Sequence, residues 1–299
     1  MKTTRWKGVY PAVTTKFKPD FSLDLDAMAA HLEFQLDAGV HGVIILGSLG
    51  ENPTLNMEEK LQLTGMFVDK INGRVPLLAC IAESDTRQAC RFAEQAQALG
   101  ADGFMLLPPM RYPSDKRETL SYLEEVAAAS DLPIMLYNNP VAYGTDLSPA
   151  DFATLASNPR FIAIKESSAD TRRIPAIRRI TASRYDIFCG VDDLAFESFS
   201  LGAVGWVAGL VVAFPHETVR LHDLMCAGQW AEARELYEWF LPLLSLDIGP
   251  KFVQQIKLVE EIMGVGSARV RSPRLPLDAT EAAHVRAIVE QAMANRPAE

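Results

Sequence analysis

One pattern recurs eight times along this chain, a short apolar run followed by an amphipathic helical window, and few folds can accommodate it. The runs fall at residues 9–15, 43–46, 76–82, 103–107, 133–138, 161–165, 185–189 and 203–207. Helical windows follow at 25–38, 56–71, 87–99, 116–129 and 148–156, and then from about 171, 193 and 215. Short strands that are apolar on both faces belong to a parallel sheet covered by helices, and eight such units close into a (β/α)8 TIM barrel. An open doubly wound sheet is the runner-up, disfavoured because the first unit carries no G-x-G-x-x-G turn. Residues 1–226 therefore read as the catalytic barrel. Residues 227–299 read as a C-terminal helical appendage of three helices, at 229–246, 252–263 and 280–294. Arg269, Arg271 and Arg274, between the last two, read as solvated charges.

In such a barrel the chemistry sits where strands end and βα loops begin, so polar residues at those points are the candidates. Lys165 ends the sixth run. Alternation places it on one face with Phe161 and Ala163, with Ile162 and Ile164 on the other, so its amine is expected to point inward. A buried ammonium is costly, and burial can bring a lysine from about 10.4 to roughly 7–8, the range a carbonyl-attacking amine needs. The ordinary alternative is a lysine snorkelling from a strand end to solvent. Tyr137 ends the fifth run on the face of Met135, where its hydroxyl would stand beside that amine as a proton carrier. The turn Gly47, Ser48, Leu49, Gly50 can offer backbone N–H groups and a hydroxyl to a small carboxylate, although a bare turn explains it equally. Asn138-Asn139-Pro140 has the composition of a turn. Thr14, Thr15, Arg111, Tyr112, Gly190 and Asp193 complete the set.

Composition narrows the partners. With 299 residues, 48% of them hydrophobic, the chain can bury a large core. A net charge of -9 sets aside nucleic acid and anionic membrane, leaving a small-molecule substrate. No apolar run approaches the ~18 residues of a membrane span and no signal core opens the chain, so a cytoplasmic location is expected. Cys80, Cys90, Cys189 and Cys226 lack C-x-x-C spacing and read as reduced, packed thiols. His31, His41, His216, His222 and His284 lack metal-ligand spacing, so no metal site is expected.

Four segments in register resemble the dihydrodipicolinate synthase/N-acetylneuraminate lyase family of Schiff-base barrel enzymes. They are Gly47-Ser-Leu-Gly-Glu51, Leu136-Tyr-Asn-Asn-Pro140, Ile164-Lys-Glu-Ser-Ser-Ala-Asp170 and Cys189-Gly-Val-Asp-Asp193. The resemblance implies that Lys165 condenses with the 2-oxo group of a pyruvate-like substrate while Tyr137 relays protons. Gly47, Ser48, Leu49, Gly50, Asn138, Gly190 and Arg111 would bind substrate, and the covalent imine on Lys165 would need no cofactor. It also implies a homo-oligomer, a tetramer by family analogy.

The chain departs from the synthase pattern at three points. The residues after the Tyr-Asn-x-Pro motif, Val141-Ala142-Tyr143-Gly144, hold no arginine, Leu49 replaces a threonine, and Met110-Arg111-Tyr112 replaces a tyrosine pair. The wording as a whole is most similar to the branch that deaminates 1-pyrroline-4-hydroxy-2-carboxylate to 2,5-dioxopentanoate in hydroxyproline degradation. Dihydrodipicolinate synthase or another pyruvate-dependent aldolase is the alternative within the family. A non-catalytic barrel that binds a 2-oxo acid is the alternative of another class.

Overall fold

A computed structural model describes residues 5–109, 112 and 114–297. The strands are β1 (Gly8–Pro11), β2 (Val43–Ile45), β3 (Leu77–Ile81), β4 (Gly103–Leu106), β5 (Ile134–Asn138), β6 (Phe161–Glu166), β7 (Asp186–Cys189) and β8 (Gly205–Ala208). All pair in parallel, in the order β1-β8-β7-β6-β5-β4-β3-β2. The ring closes through a bridge from Ala12 to Ile44, with the Val13 amide donating to the Ile44 carbonyl at 2.9 Å. This is a (β/α)8 barrel, as the eightfold pattern requires.

Around it run α1 (Leu25–Asp37), α2 (Met57–Ile71), α3 (Thr86–Leu99), α4 (Lys116–Ala128), α5 (Pro140–Tyr143), α6 (Pro149–Leu155), α7 (Arg173–Ile180), α8 (Ala195–Ser200) and α9 (Pro215–Cys226). The tail holds α10 (Trp230–Leu244), α11 (Phe252–Ile262) and α12 (Ala279–Ala294). Local chemistry explains the starts: Asn56 with Glu59, Asp115 with Glu118, Ser148 with Asp151 and Asp278 with Glu281 form reciprocal capping boxes. No helix among the described residues is long and apolar enough to cross a membrane.

Several expectations need correction. The first strand stops at Pro11, which has no N–H to extend the ladder. Beyond it, Thr14 donates its hydroxyl to Glu260 (2.7 Å) and Thr15 donates to the Gly50 carbonyl (2.6 Å). The Asn138-Asn139-Pro140 turn is followed directly by α5, because Asn139 accepts from the Ala142 amide, Pro140 opens the helix and Gly144 ends it at φ 70°. The β5–β6 register slips between Ile134 and Met135, so Phe161 pairs with Ile134 while Ala163 pairs with Met135. The irregularity interrupts the strict alternation expected between Phe161 and Ala163.

Arg271 is not solvated. It stacks over Phe17 at 4.4 Å and makes a forked pair with Glu59 at 2.6 and 2.9 Å. Cys80 and Cys189 are packed thiols, whereas Cys226 is exposed.

The tail enters the barrel's polar structure. Lys257 of α11 pairs with Glu51 at 2.6 Å, both side chains fully buried, and Glu260 of α11 accepts from Lys16 at 2.5 Å. α11 thus grips the residue that follows the 47–50 turn.

Candidate active site

Lys165 lies at the C-terminal end of β6, in register with Tyr137 on β5 and Phe188 on β7. It is buried, and its Nζ stands 4.1 Å from the centre of the Tyr137 ring. The amine therefore meets the tyrosine's face rather than its hydroxyl. Burial lowers the Lys165 pKa, opposed by the nearby Tyr143, Asp247, Cys80 and Asp192, which favour the charged form. Gly190 makes room for the side chain: a Cβ there would stand 2.7 Å from Lys165 Cε and 2.0 Å from Ser167 Oγ. Any larger residue at 190 would push the lysine out of place.

The Tyr137 hydroxyl accepts from Asn139 Nδ2 at 3.1 Å. Burial raises its pKa, with hydrogen bonds involving Asn139, Tyr143 and Ser167 pulling the other way. Tyr143 packs edge-on to Tyr137, centroids 5.7 Å apart and planes at 86°, and its hydroxyl is hydrogen-bonded to Ser48 Oγ. Lys165, Tyr137, Tyr143 and Ser48 thus form one continuous wall built entirely from this chain. The turn carrying Ser48 is bracketed by two non-glycine residues in the left-handed region, Leu46 (φ 63°) and Glu51 (φ 57°). Such conformations cost about 1–3 kcal/mol each and persist where neighbours enforce them. Glu51 is enforced by Lys257 and by the Arg271 amide, which donates to it at 3.0 Å. Gly50 is required because a Cβ there would lie 2.9 Å from the Val13 carbonyl oxygen.

The other expected residues divide. Gly47 and Ser48 are on the turn, and Gly190 touches Lys165. Leu49 is buried in the apolar core. Asn138 donates to Asp146 and to both Glu166 oxygens, and accepts from the Leu147 amide at 2.9 Å, bracing the strand ends. Arg111 lies outside the described residues, and its neighbour Tyr112 is exposed.

Two groups were missed from sequence. Tyr143 gave one signal, an aromatic hydroxyl in the loop after a catalytic strand. Asp247 gave none, lying far along the chain in the tail. Its partner in the site, Asp192, accepts from the Gly209 and Leu210 amides and from Trp206 Nε1. Elsewhere, His41, His222 and Asp223 come within 4.8 Å of one another despite their spacing in sequence. Three ring nitrogens there already have protein partners: Val9 N donates to His41, while Asp223 and the Cys226 thiol flank His222.

A profile of the dihydrodipicolinate synthetase family matches residues 5–292. The chain belongs to that family. A 4-hydroxy-tetrahydrodipicolinate synthase of Phocaeicola vulgatus is 30% identical, over 97% of this chain and 98% of its own. A DapA-like lyase of Halobacterium salinarum is 32% identical, over 91% of this chain and 89% of its own. Among solved structures, a family prophage protein from E. coli K12 in complex with pyruvate superposes with a TM-score of 0.90 at 29% identity, covering 96% and 99% of the two chains. As a member of the dihydrodipicolinate synthetase family, the chain is an enzyme of the lyase and aldolase type.

Proposed function

We propose that this enzyme forms an imine between Lys165 and C2 of 1-pyrroline-4-hydroxy-2-carboxylate and converts that compound to 2,5-dioxopentanoate with release of ammonia. The observation that carries the reading is the amine of Lys165, buried, relieved of part of its basicity and set on the Tyr137 ring. Attack at C2 opens the ring, leaving the former ring nitrogen as an amine on C5. The protonated imine withdraws electrons from C2, so a C3 proton is lost to a base and the C3–H electrons form an enamine. Those electrons then expel the C4 hydroxyl, which takes up one proton and leaves as water. Proton transfer from C5 to C3 moves the double bond to C4=C5 as an enamine, and protonation of C4 with loss of an N–H proton turns it into the C5 imine. Hydrolysis there frees ammonia and the aldehyde, and hydrolysis at C2 returns Lys165. Tyr137 and Tyr143 would carry the protons, the Ser48 turn would hold the carboxylate, and the sequence of steps calls for no metal or organic cofactor.

The loop after the Tyr137 motif supports this substrate. Val141-Ala142-Tyr143-Gly144 supplies a hydroxyl and no arginine, so it offers nothing to pair with the carboxylate of an incoming semialdehyde. A second reading, pyruvate–aspartate-semialdehyde condensation, is favoured by relatives that carry the synthase name. Incubating pure protein with the cyclic imine and following ammonia and semialdehyde decides between them. Ammonia and semialdehyde in equal amounts are expected. No turnover, alongside efficient condensation of pyruvate with aspartate semialdehyde, would reverse the choice.

A further inference from the structure

Asn139 follows β5 and works in two directions. Its Oδ1 accepts from the Ala142 amide at 3.0 Å and its backbone carbonyl accepts from the Tyr143 amide at 3.0 Å, so it starts the one-turn α5 that carries Tyr143. Its Nδ2 donates to the Tyr137 hydroxyl at 3.1 Å. The two ends of this amide are not interchangeable. A backbone N–H can only donate, so the atom facing Ala142 must be the oxygen, and the NH2 group is thereby turned onto Tyr137. A helix cap alone needs no NH2 group: aspartate and serine cap as well as asparagine, and Asp85, Asp115 and Ser148 do so at α3, α4 and α6.

The extra donor changes what Tyr137 can do. A phenol oxygen that accepts from an amide keeps its own proton for another partner, and the other hydroxyls hydrogen-bonded with Tyr137 are those of Tyr143 and Ser167. Tyr143 reaches on to Ser48 Oγ. Ser167 Oγ donates to the Gly190 carbonyl at 3.0 Å, where a Cβ on the glycine would also meet the stem of Lys165. The Asn139 donor also favours the phenolate over the phenol, against the burial that holds the proton on.

We propose that Asn139 is a positioning residue for the proton path. Its Nδ2–H sets the direction of the Tyr137 hydroxyl and supports the charge that builds on that oxygen as its proton passes to a neighbouring hydroxyl. Its Oδ1 holds the helical turn that brings Tyr143 alongside. This rests on the imine reading of Lys165 and deepens it by naming the residue that aims the protons.

Pyruvate in D2O reads the step directly: an imine that loses a C3 proton and regains a deuteron removes the methyl signal from the proton NMR spectrum. Borohydride trapping of the same acid on Lys165 reads imine formation separately. Asn139→Asp keeps the capping oxygen but replaces the donor with an acceptor, which draws the phenolic proton toward residue 139 and off the path. It is expected to fold as the wild type does and to trap pyruvate at concentrations within about twofold, while kcat for exchange falls at least about tenfold and KM barely moves. Asn139→Ser, also a capping residue without an amide, is the second variant should the first fold poorly, and the same split is expected. Exchange within about threefold of wild type in a folded variant overturns the inference, because capping is then the whole role. Equal loss of trapping and exchange also overturns it, as does a wild-type chain that traps pyruvate without exchanging it. Normal exchange and the expected split, with no ammonia from the cyclic imine, would sink the proposed substrate and leave the role of Asn139 standing. A wild-type chain that neither traps nor exchanges would overturn both.

Discussion

A lysine can attack a carbonyl only as the free amine, and two opposing influences fix how much of Lys165 is free. Burial drives the proton off, whereas Tyr143, Asp247, Cys80 and Asp192 hold it on. Replacing the lysine by arginine retains charge and bulk but removes the nucleophile, so Lys165→Arg should stay folded by circular dichroism and show neither imine trapping nor turnover. Tyr143 makes a different prediction. Its hydroxyl joins Ser48 to the Tyr137 edge, so Tyr143→Phe should lower turnover by about 10²-fold while the imine on Lys165 can still be trapped. A drop of less than about threefold would remove Tyr143 from the proton path.

Lys165 and Tyr137 were legible in the sequence because strand alternation and a shared register are local rules. Asn138, the next residue along β5, has hydrogen-bond partners in Asp146, Glu166 and Leu147 that no local rule announces. Tyr143 was not legible as a partner because its contact with Ser48 spans 95 residues and depends on the one-turn helix that Asn139 and Gly144 define.

At the scale of elements, the turn that presents Ser48 is held by buried charges from α11. Removing one member of such a pair strands the other in a dry environment at a cost of about 3–5 kcal/mol. Lys257→Met should lower unfolding stability by that amount in urea, and it should also weaken substrate trapping because Glu51 then loses the contact that fixes its left-handed backbone.

His31, on α1, sits in the neighbouring cluster and adds a pH dependence. Its Nε2–H donates to the Val212 carbonyl and its Nδ1 accepts from Gln35. Burial, with help from Lys16, depresses its pKa to about 4. The fold therefore wants the neutral ring. Its contribution is present above the unfolded value near 6.5 and is lost as pH falls through about 4, on the order of 3 kcal/mol in full. The wild-type urea midpoint should fall between pH 7 and pH 4.5 more steeply than that of His31→Gln, and parallel profiles would contradict the assignment. None of this was readable beforehand. The 252–263 window showed an amphipathic helix, but Lys257 and Glu260 meet partners 206 and 246 residues away.

For the whole molecule, eightfold repetition was enough to name the barrel, since each strand is too apolar to face water and each helix needs a sheet to cover. The sequence could not say that closure would rest on the Ala12–Ile44 bridge, or that the tail would set Asp247 against Gly209, just past β8. The catalytic end collects Lys165 from β6, Tyr137 from β5, Tyr143 from α5 and the strained turn after β2. The far end of the barrel holds the histidine cluster.

The most direct measurement is borohydride reduction in the presence of 1-pyrroline-4-hydroxy-2-carboxylate or pyruvate, followed by intact mass and peptide mapping. The expected result is one reduced-imine adduct per chain, located on Lys165 and absent from Lys165→Arg. An unmodified chain, or an adduct on another lysine while Lys165 stays free, would contradict imine formation at this site.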